Sequence, residues 1–466
     1  MTMASVGQKV ISFVYFTIVA RSLGVEGTGK YFFALSFTTI FVVFVDFGLT
    51  NVLVRETSRF PDRLRTYLGN ALFIKIFFGF CTYVAMVGTI HVLKYPIDVR
   101  HLVYLSGFTM LFDSLHLTLY GVMRSLGDLT YEAISITASQ LLTLVLGSVF
   151  LFFKLPLIFL ILAFTISSAV NVGFIAFVLK RRYRLRLLPT YDRATIMHML
   201  AIALPFAIAA IFARVYSYSD SILLSKLAGD RAVGLYSIPY KITYAFQFVP
   251  LALIAAVYPR FSEYFASDRE RLAHVFEICL KYLFIIVAPL TVGISIVAQE
   301  IILFLYGAAY LPSVLPLQIL IVSLLFSYMS FPVGALLNAC DRQKTQTTIV
   351  GIVMIVNIAM NLLLIPRFGV VGAAVAACVG NILLTMSGLW IARHIVFFPL
   401  KKLSGMIFRI ALAAMTMGMA VLIASKYIHV LGVISIGVLL YPIMLFLTRA
   451  IKKNDIIEIR LFLRKH

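Results

Sequence analysis

The chain has 466 residues, of which 62% are apolar and only 13% charged, and its mean hydropathy is +1.01. A soluble fold this apolar has too little polar surface to cover itself, since about a quarter of ordinary globular sequence is charged, and the alternation a membrane β-barrel requires is missing. The net charge of +21 is spread over alternate loops with no single basic face, which argues against nucleic acid as a partner.

The apolar residues arrive in blocks near the roughly 20 residues that cross a bilayer. In hydrocarbon each backbone amide needs a partner within its own segment, so these blocks read as helices. The first, 5–20, follows a short polar start without a small-residue cleavage site and is expected to be retained. Five more follow at 30–53, 68–92, 101–123, 131–153 and 156–179. A basic stretch leads to a second series at 197–224, 233–258, 273–297, 314–338, 345–366 and 370–392, and two last helices are predicted at 405–425 and 428–448. The expected fold class is all-α and polytopic, with about fourteen transmembrane helices.

Lys and Arg fix the expected direction. Counted with the start inside, 27 fall in segments on that side and nine in the opposite loops. Both termini are therefore expected in the cytoplasm, with the protein multi-pass in the inner cell membrane. The last stretch, 451–466, alternates basic and apolar residues and is expected to lie along the anionic inner leaflet. Cys81, Cys279, Cys340 and Cys378 lie in or at the ends of apolar segments without metal-ligand spacing, and read as small buried residues with no disulfide.

The chain repeats itself at an offset of 205 residues. Arg21, Gly24, Gly29 and Tyr31 recur as Lys226, Gly229, Gly234 and Tyr236, and Arg55 falls on Arg260. Arg367-Phe-Gly369-Val-Val-Gly372 echoes the same turn. The expected organisation is an N-lobe of six helices (1–180), a cytoplasmic basic linker (181–196) and a C-lobe of six helices (197–396). The final helix pair (397–450) and the amphipathic tail (451–466) follow. Six helices per repeat keep both lobes in one orientation, related by an axis along the membrane normal, and a central cleft rocking between two open states is expected.

Ala20-Arg21-Ser22-Leu23-Gly24, Asp46-Phe-Gly48-Leu49 and Val54-Arg55-Glu56 resemble the opening of polysaccharide transporters. These are the O-antigen-type lipid-linked oligosaccharide flippases of the multidrug/oligosaccharidyl-lipid/polysaccharide exporter superfamily. Asp220, Gly234-Leu-Tyr236-Ser-Ile-Pro-Tyr240-Lys241 and Ile365-Pro-Arg-Phe-Gly369 extend the resemblance over nearly the whole chain. Where family members often carry a basic residue after the helix-7 aspartate, this chain has Ser221. The resemblance implies two lobes around a cationic cavity that move an undecaprenyl-pyrophosphate-linked glycan to the outer leaflet, for surface polysaccharide biosynthesis. Polysaccharide polymerase and chain-length proteins are the partners it implies, beside the lipid-linked glycan and the bilayer.

Ionisable side chains at mid-membrane cost about 2.5–3.5 kcal/mol each on insertion scales and normally face a cavity or a partner. Arg214, near the middle of helix 7 and followed by Tyr216, Tyr218 and Asp220, offers a permanent planar fork suited to phosphate oxygens. With Lys241 on helix 8 it is a candidate site for a diphosphate headgroup; pairing with Asp113 or Asp220 is the structural alternative. Arg21 and Arg55 are candidates for phosphate contacts at the cleft mouths. Asp113, His116, Tyr120 and Arg124 share one face of helix 4 and read as cleft-lining, and Asp113 with His116, and Asp220, are candidates to carry a coupling proton. Asp46 and Lys75 lie at similar depth and are expected to form a structural ion pair. Glu277 and Lys281 read as an intrahelical pair.

No nucleophile elbow, HExxH, Walker glycine loop or paired-carboxylate motif is present, so no enzyme, cofactor or metal site is expected. Two other functions compete with a flippase: a multidrug efflux antiporter of the same superfamily, and a membrane polysaccharide polymerase or ligase. An Arg in mid-cavity would repel the cationic cargo of the first. The duplication and the short loops speak against the second.

Overall fold

The computed structural model describes residues 2–398, 400–425 and 427–451. The tail expected to be amphipathic lies, from residue 452 on, outside the described residues, as does Lys426. The helices are α1 (Thr2–Asp46), α2 (Leu49–Arg59), α3 (Leu64–Val92), α4 (Ile97–Ser125), α5 (Thr130–Phe152), α6 (Ile158–Arg181) and α7 (Arg193–Phe246). They continue as α8 (Phe248–Ser267), α9 (Arg269–Ile296), α10 (Ala298–Tyr306), α11 (Val314–Ala339), α12 (Gln343–Ala392), α13 (Leu400–Ala424) and α14 (Val430–Leu447). Among the described residues ten helices are long and apolar enough to cross a membrane, and a shorter apolar helix covers Gly432–Leu447. The chain is an all-helical multi-pass membrane protein.

Three of these spans run 54, 75 and 50 residues, well beyond one crossing. Inside α1, α7 and α12, which these spans contain, one glycine has a backbone that leaves the helical region: Gly24 at φ 68°, Gly229 at φ 82° and Gly369 at φ 54°. Only a residue without Cβ takes up such angles freely. At these positions one glycine alone carries the chain from one helical stretch to the next, in place of a loop. Elsewhere the turns are longer. Lys94 and Lys154 end α3 and α5 in the left-handed conformation, with Leu155 N–H donating back to the Phe150 carbonyl at 3.0 Å, and Pro96 precedes the next helix. Asp268 caps α9, its side chain accepting from the backbone of Glu270 and Arg271.

The chain forms two compact units, residues 1–237 with 350–370, and residues 238–349 with 371–466. In the first, Leu53, Leu68, Val122, Leu179 and Met199 are among the buried side chains of one apolar core. The segment between α6 and α7 is tied down on α3. Thr190 N–H donates to the Gly69 carbonyl at 3.0 Å, and Asp192 N–H to Asn70 Oδ1 at 2.7 Å. A Cβ on Gly69 would stand 2.3 Å from Thr190 Oγ1. In the second unit, α13 and α14 pack on α9 around Ile410, Met417 and Val433, and Tyr441 donates to the Ile285 carbonyl at 2.7 Å. All four cysteines are free, with Cys279 and Cys340 buried.

Candidate functional site

Arg214 lies on the part of α7 before Gly229. Its side chain is exposed, and it forms no ion pair or hydrogen bond among the described residues. The two carboxylates weighed as its partners are engaged elsewhere. Asp113 accepts from Ser168 Oγ at 2.6 Å. Asp220 accepts from Tyr236 OH at 2.8 Å and from Asn361 Nδ2 at 2.7 Å. Tyr216 and Tyr218, beside Arg214, are half-buried. Lys241 is half-buried too and belongs to the second unit.

Asp220 sits in a buried polar knot that sequence reasoning did not assemble. Asn361 also donates to the Asn357 carbonyl at 3.0 Å and to Asn357 Oδ1 at 3.1 Å, and Ser219 Oγ donates to the same Oδ1 at 3.2 Å. Asp220, Tyr236, Asn357 and Asn361 are all at most 5% exposed. No cation pairs with Asp220 among the described residues. Its charge is met by a phenol and an amide, the inventory of a group that can hold or release a proton. The spacing of Asn357 and Asn361, one turn apart in an apolar stretch, was a legible signal of a shared face. Their meeting with Asp220, 141 positions away, was not.

On α4 the expected stripe divides. Asp113 and His116 stay together, Oδ1 to Nδ1 at 3.6 Å, and the imidazole lies 5.0 Å from the Tyr120 ring. Below them the stripe turns into the packing between helices. Tyr120 OH donates to Asn171 Oδ1 at 2.8 Å, Ser135 Oγ donates to the same oxygen, and Arg124 holds the fully buried Glu132 with Nε at 3.0 Å from Oε2. A bonded seam with α5 and α6 accounts for Tyr120 and Arg124 without any cleft.

Lys75 and Asp46 meet at 2.6 Å. The ammonium also donates to the Ser114 carbonyl at 2.9 Å and to Thr50 Oγ1 at 3.2 Å, so each of its three donors has an acceptor. Thr50 Oγ1 donates in turn to Asp46 Oδ1. Asp46 is the last residue of α1 and Thr50 belongs to α2, with Phe47 and Gly48 between them at positive φ. The ion pair thus stands at a break in the second span. Arg21 and Arg55 are exposed, and Arg55 Nε lies 3.8 Å from Glu56 Oε1. Among the described residues no cluster of His, Cys, Asp and Glu is placed to hold a metal ion.

Comparison with known proteins places this arrangement. An uncharacterized membrane protein of Methanocaldococcus jannaschii, MJ1068, is 25% identical over 202 residues, 43% of this chain and 40% of that one. A Haloferax volcanii protein named as a candidate flippase, AglR, is 30% identical over 167 residues, 34% of each chain. The chain thus matches less than half the length of these two relatives. A Shigella flexneri protein named as a candidate O-antigen transporter is 22% identical over 377 residues, 77% of this chain and 88% of that one. Among solved structures, that of the lipid II flippase MurJ in an inward closed conformation superposes with a TM-score of 0.80. It covers 96% of this chain and 98% of that one at 17% identity, a likeness of fold. The family model described as MatE matches residues 205–363. The model described as polysaccharide biosynthesis protein matches residues 1–265, more than half of the chain, and the protein belongs to that family, within the multidrug/oligosaccharidyl-lipid/polysaccharide superfamily.

Proposed function

We propose that the protein is a flippase that carries an undecaprenyl-pyrophosphate-linked oligosaccharide from the inner to the outer leaflet by alternating access, for surface polysaccharide biosynthesis. Two six-helix lobes, 1–180 and 197–396, flank the path, and the helices of 397–450 complete fourteen spans with both termini in the cytoplasm. The number follows when each of the three long helices counts as two at its glycine and Gly432–Leu447 is added. Polymerase and chain-length proteins are the expected partners.

The observation that carries the reading is the free guanidinium of Arg214. A permanent cation in a membrane span, with both carboxylates considered as its partners engaged elsewhere, has no structural pairing to explain it, and its fork matches a pyrophosphate. Tyr216 and Tyr218 follow it on the same helix, and Lys241, in the second unit, is by itself a further proposed contact for the substrate. Arg21 and Arg55, exposed near opposite ends of the spans, are the proposed phosphate contacts at the mouths. The family and the names of its relatives support the cargo class.

Reconstituted protein and a labelled lipid-linked glycan test this. Arg214→Ala should slow translocation by about ten- to a hundredfold, the worth of one charge-assisted hydrogen bond or two. Arg214→Lys should recover part of the rate, since it restores charge without the fork. Translocation by Arg214→Ala at the wild-type rate would remove the proposed headgroup site.

Asp113 with His116, and Asp220, are the proposed carriers of a coupling proton. Under an imposed pH gradient Asp113→Asn should transport at a rate indifferent to the gradient; a gradient response equal to wild type rules Asp113 out. A multidrug antiporter is the second reading, favoured by the MatE match over 205–363. A cationic drug would meet Arg214 as a like charge, so the flippase is preferred.

A further inference from the structure

Residues 182–192, between α6 and α7, belong to no helix and carry a pattern that the proposed transport does not use. Tyr183, Leu185 and Leu187 pack on the apolar core of the first unit. Arg184, Arg186 and Leu188, between and after them, are exposed. Side chains thus alternate inward and outward, with the arginines on the outer side. From residue 180 to residue 193 there are six basic residues and a single acid, Asp192.

The segment is bonded in place. Beside the two bonds to Gly69 and Asn70 on α3, Leu185 N–H donates to the Leu179 carbonyl of α6 at 3.1 Å, and Tyr183 OH donates to Asp128 Oδ2 at 2.7 Å. The same bonds occupy the nearby acids. Asp128 holds Tyr183 and stands 3.9 Å from Arg182 Nη2, and Asp192 accepts from the backbone of Ala194 and Thr195 at the start of α7. Among the described residues Arg184 and Arg186 have neither an acidic partner nor a hydrogen bond.

Contacts with α3 fix the level at which the segment runs. A Cβ on Gly69 would stand 3.2 Å from the Leu188 carbonyl oxygen, so backbone presses on helix there. One turn further on, the Tyr191 ring meets the edge of the Phe73 ring with centroids 5.2 Å apart. Phe73 opens a row with Ile76, Phe77 and Phe80, all exposed and all on one side of α3. On a membrane-spanning helix such an apolar row faces lipid. The segment therefore crosses α3 at the edge of a lipid-facing surface, with Arg186 two residues before the crossing. Tyr191 and Leu188, both exposed, stand at the boundary where amphipathic rings collect.

We propose that residues 184–191 form a fixed binding surface for anionic phospholipid, with the guanidinia of Arg184 and Arg186 holding the phosphate and Leu188 and Tyr191 entering the layer beneath it. Two forks without acids beside them complement a phosphodiester in charge and shape. A loose polybasic loop attracts an anionic leaflet as diffuse charge, whereas a bonded segment offers its arginines already ordered and loses less freedom when lipid binds. Such a surface binds bilayer lipid and not cargo, so it stands whether or not the protein is a flippase.

A single tryptophan reads lipid contact directly. The chain's only tryptophan, Trp390, would be replaced by Phe and Leu188→Trp introduced, in bilayers of equal parts phosphatidylcholine and phosphatidylglycerol. Bromine, a quencher, would be carried on the chains of one lipid or of the other. Brominated phosphatidylglycerol should quench Leu188→Trp the more strongly, by an amount that corresponds to about a five- to thirtyfold preference, what one or two arginines contribute at an anionic surface. The preference should shrink in high salt and vanish in Arg184→Gln/Arg186→Gln, whose two positions are exposed. Phe80→Trp, within the span, should be quenched alike by either lipid. Equal quenching of Leu188→Trp by the two lipids, a preference that survives the double substitution, or one as large at Phe80→Trp overturns the assignment. Quenching at Phe80→Trp with none at Leu188→Trp overturns it too, and turns the segment toward solvent or an acidic protein. The comparison of the two lipids at Leu188→Trp decides the matter even where the double variant fails to fold.

Discussion

Lys75 shows what a charge inside a membrane helix requires. Its side chain is fully buried, and removing an ammonium from water is repaid only when partners surround it. Asp46, Thr50 and the Ser114 carbonyl do so. Removing one member leaves the other charge buried and alone. Asp46→Leu or Lys75→Met is therefore expected to destabilise the purified protein by about 3–5 kcal/mol, while the double variant Asp46→Leu/Lys75→Met should be more stable than either single one. Thermal unfolding in detergent checks the order; a double variant at least as unstable as both singles would show that the pair is not the unit of stability. The pair was legible because two neighbouring helices place an acid and a base at one depth. The knot at Asp220 was not, because Asn357 and Asn361 come from a helix far along the chain. Which pairs of helices touch is settled by packing over the whole unit, and no local pattern in the sequence records it.

At the scale of helices, hydropathy found the membrane-spanning elements and misjudged their ends. The seventh span was expected at 197–224, yet helix begins at Arg193 and runs without interruption to Gly229. Water-exposed turns of a helix are polar and leave no hydropathy signal, although their backbone bonds continue those in the lipid. The second span was expected from residue 30, while helical geometry resumes just after Gly24. The repeat glycines gave the better marker, since positive φ is where a helix must stop or turn. Periodicity also gave the face shared by Asp113, His116, Tyr120 and Arg124, but not what that face meets. Tyr120 and Arg124 turn out to bond with Asn171 and Glu132 on α6 and α5, polar groups hidden in stretches that hydropathy reads as plain lipid-crossing helix. Buried Glu132 was the available clue, because an acid near a helix end and an arginine on the neighbouring helix at the same depth are natural partners.

Over the whole molecule the charge asymmetry makes a claim that labelling can check. If fourteen spans alternate, Lys94 and Lys154, at the turns after α3 and α5, face one side, while Arg63 and Arg186 face the other together with both termini. Lys94 and Lys154 both take up positive φ at helix ends, and all four positions are exposed. Single cysteines at these positions, in a chain whose native cysteines have been replaced, should divide cleanly. A membrane-impermeant maleimide added to intact cells should label the Lys94→Cys and Lys154→Cys variants and spare Arg63→Cys and Arg186→Cys until the membrane is opened. An odd number of spans would place the two termini on opposite sides. A cysteine appended to the carboxyl terminus that labels from outside, while Arg63→Cys does not, would therefore reject fourteen. The inside-positive bias of 27 to nine would then have to be redistributed over a different set of loops. The lobe pairing would fall with it, because two copies of the repeat keep one orientation only when each holds an even number of helices.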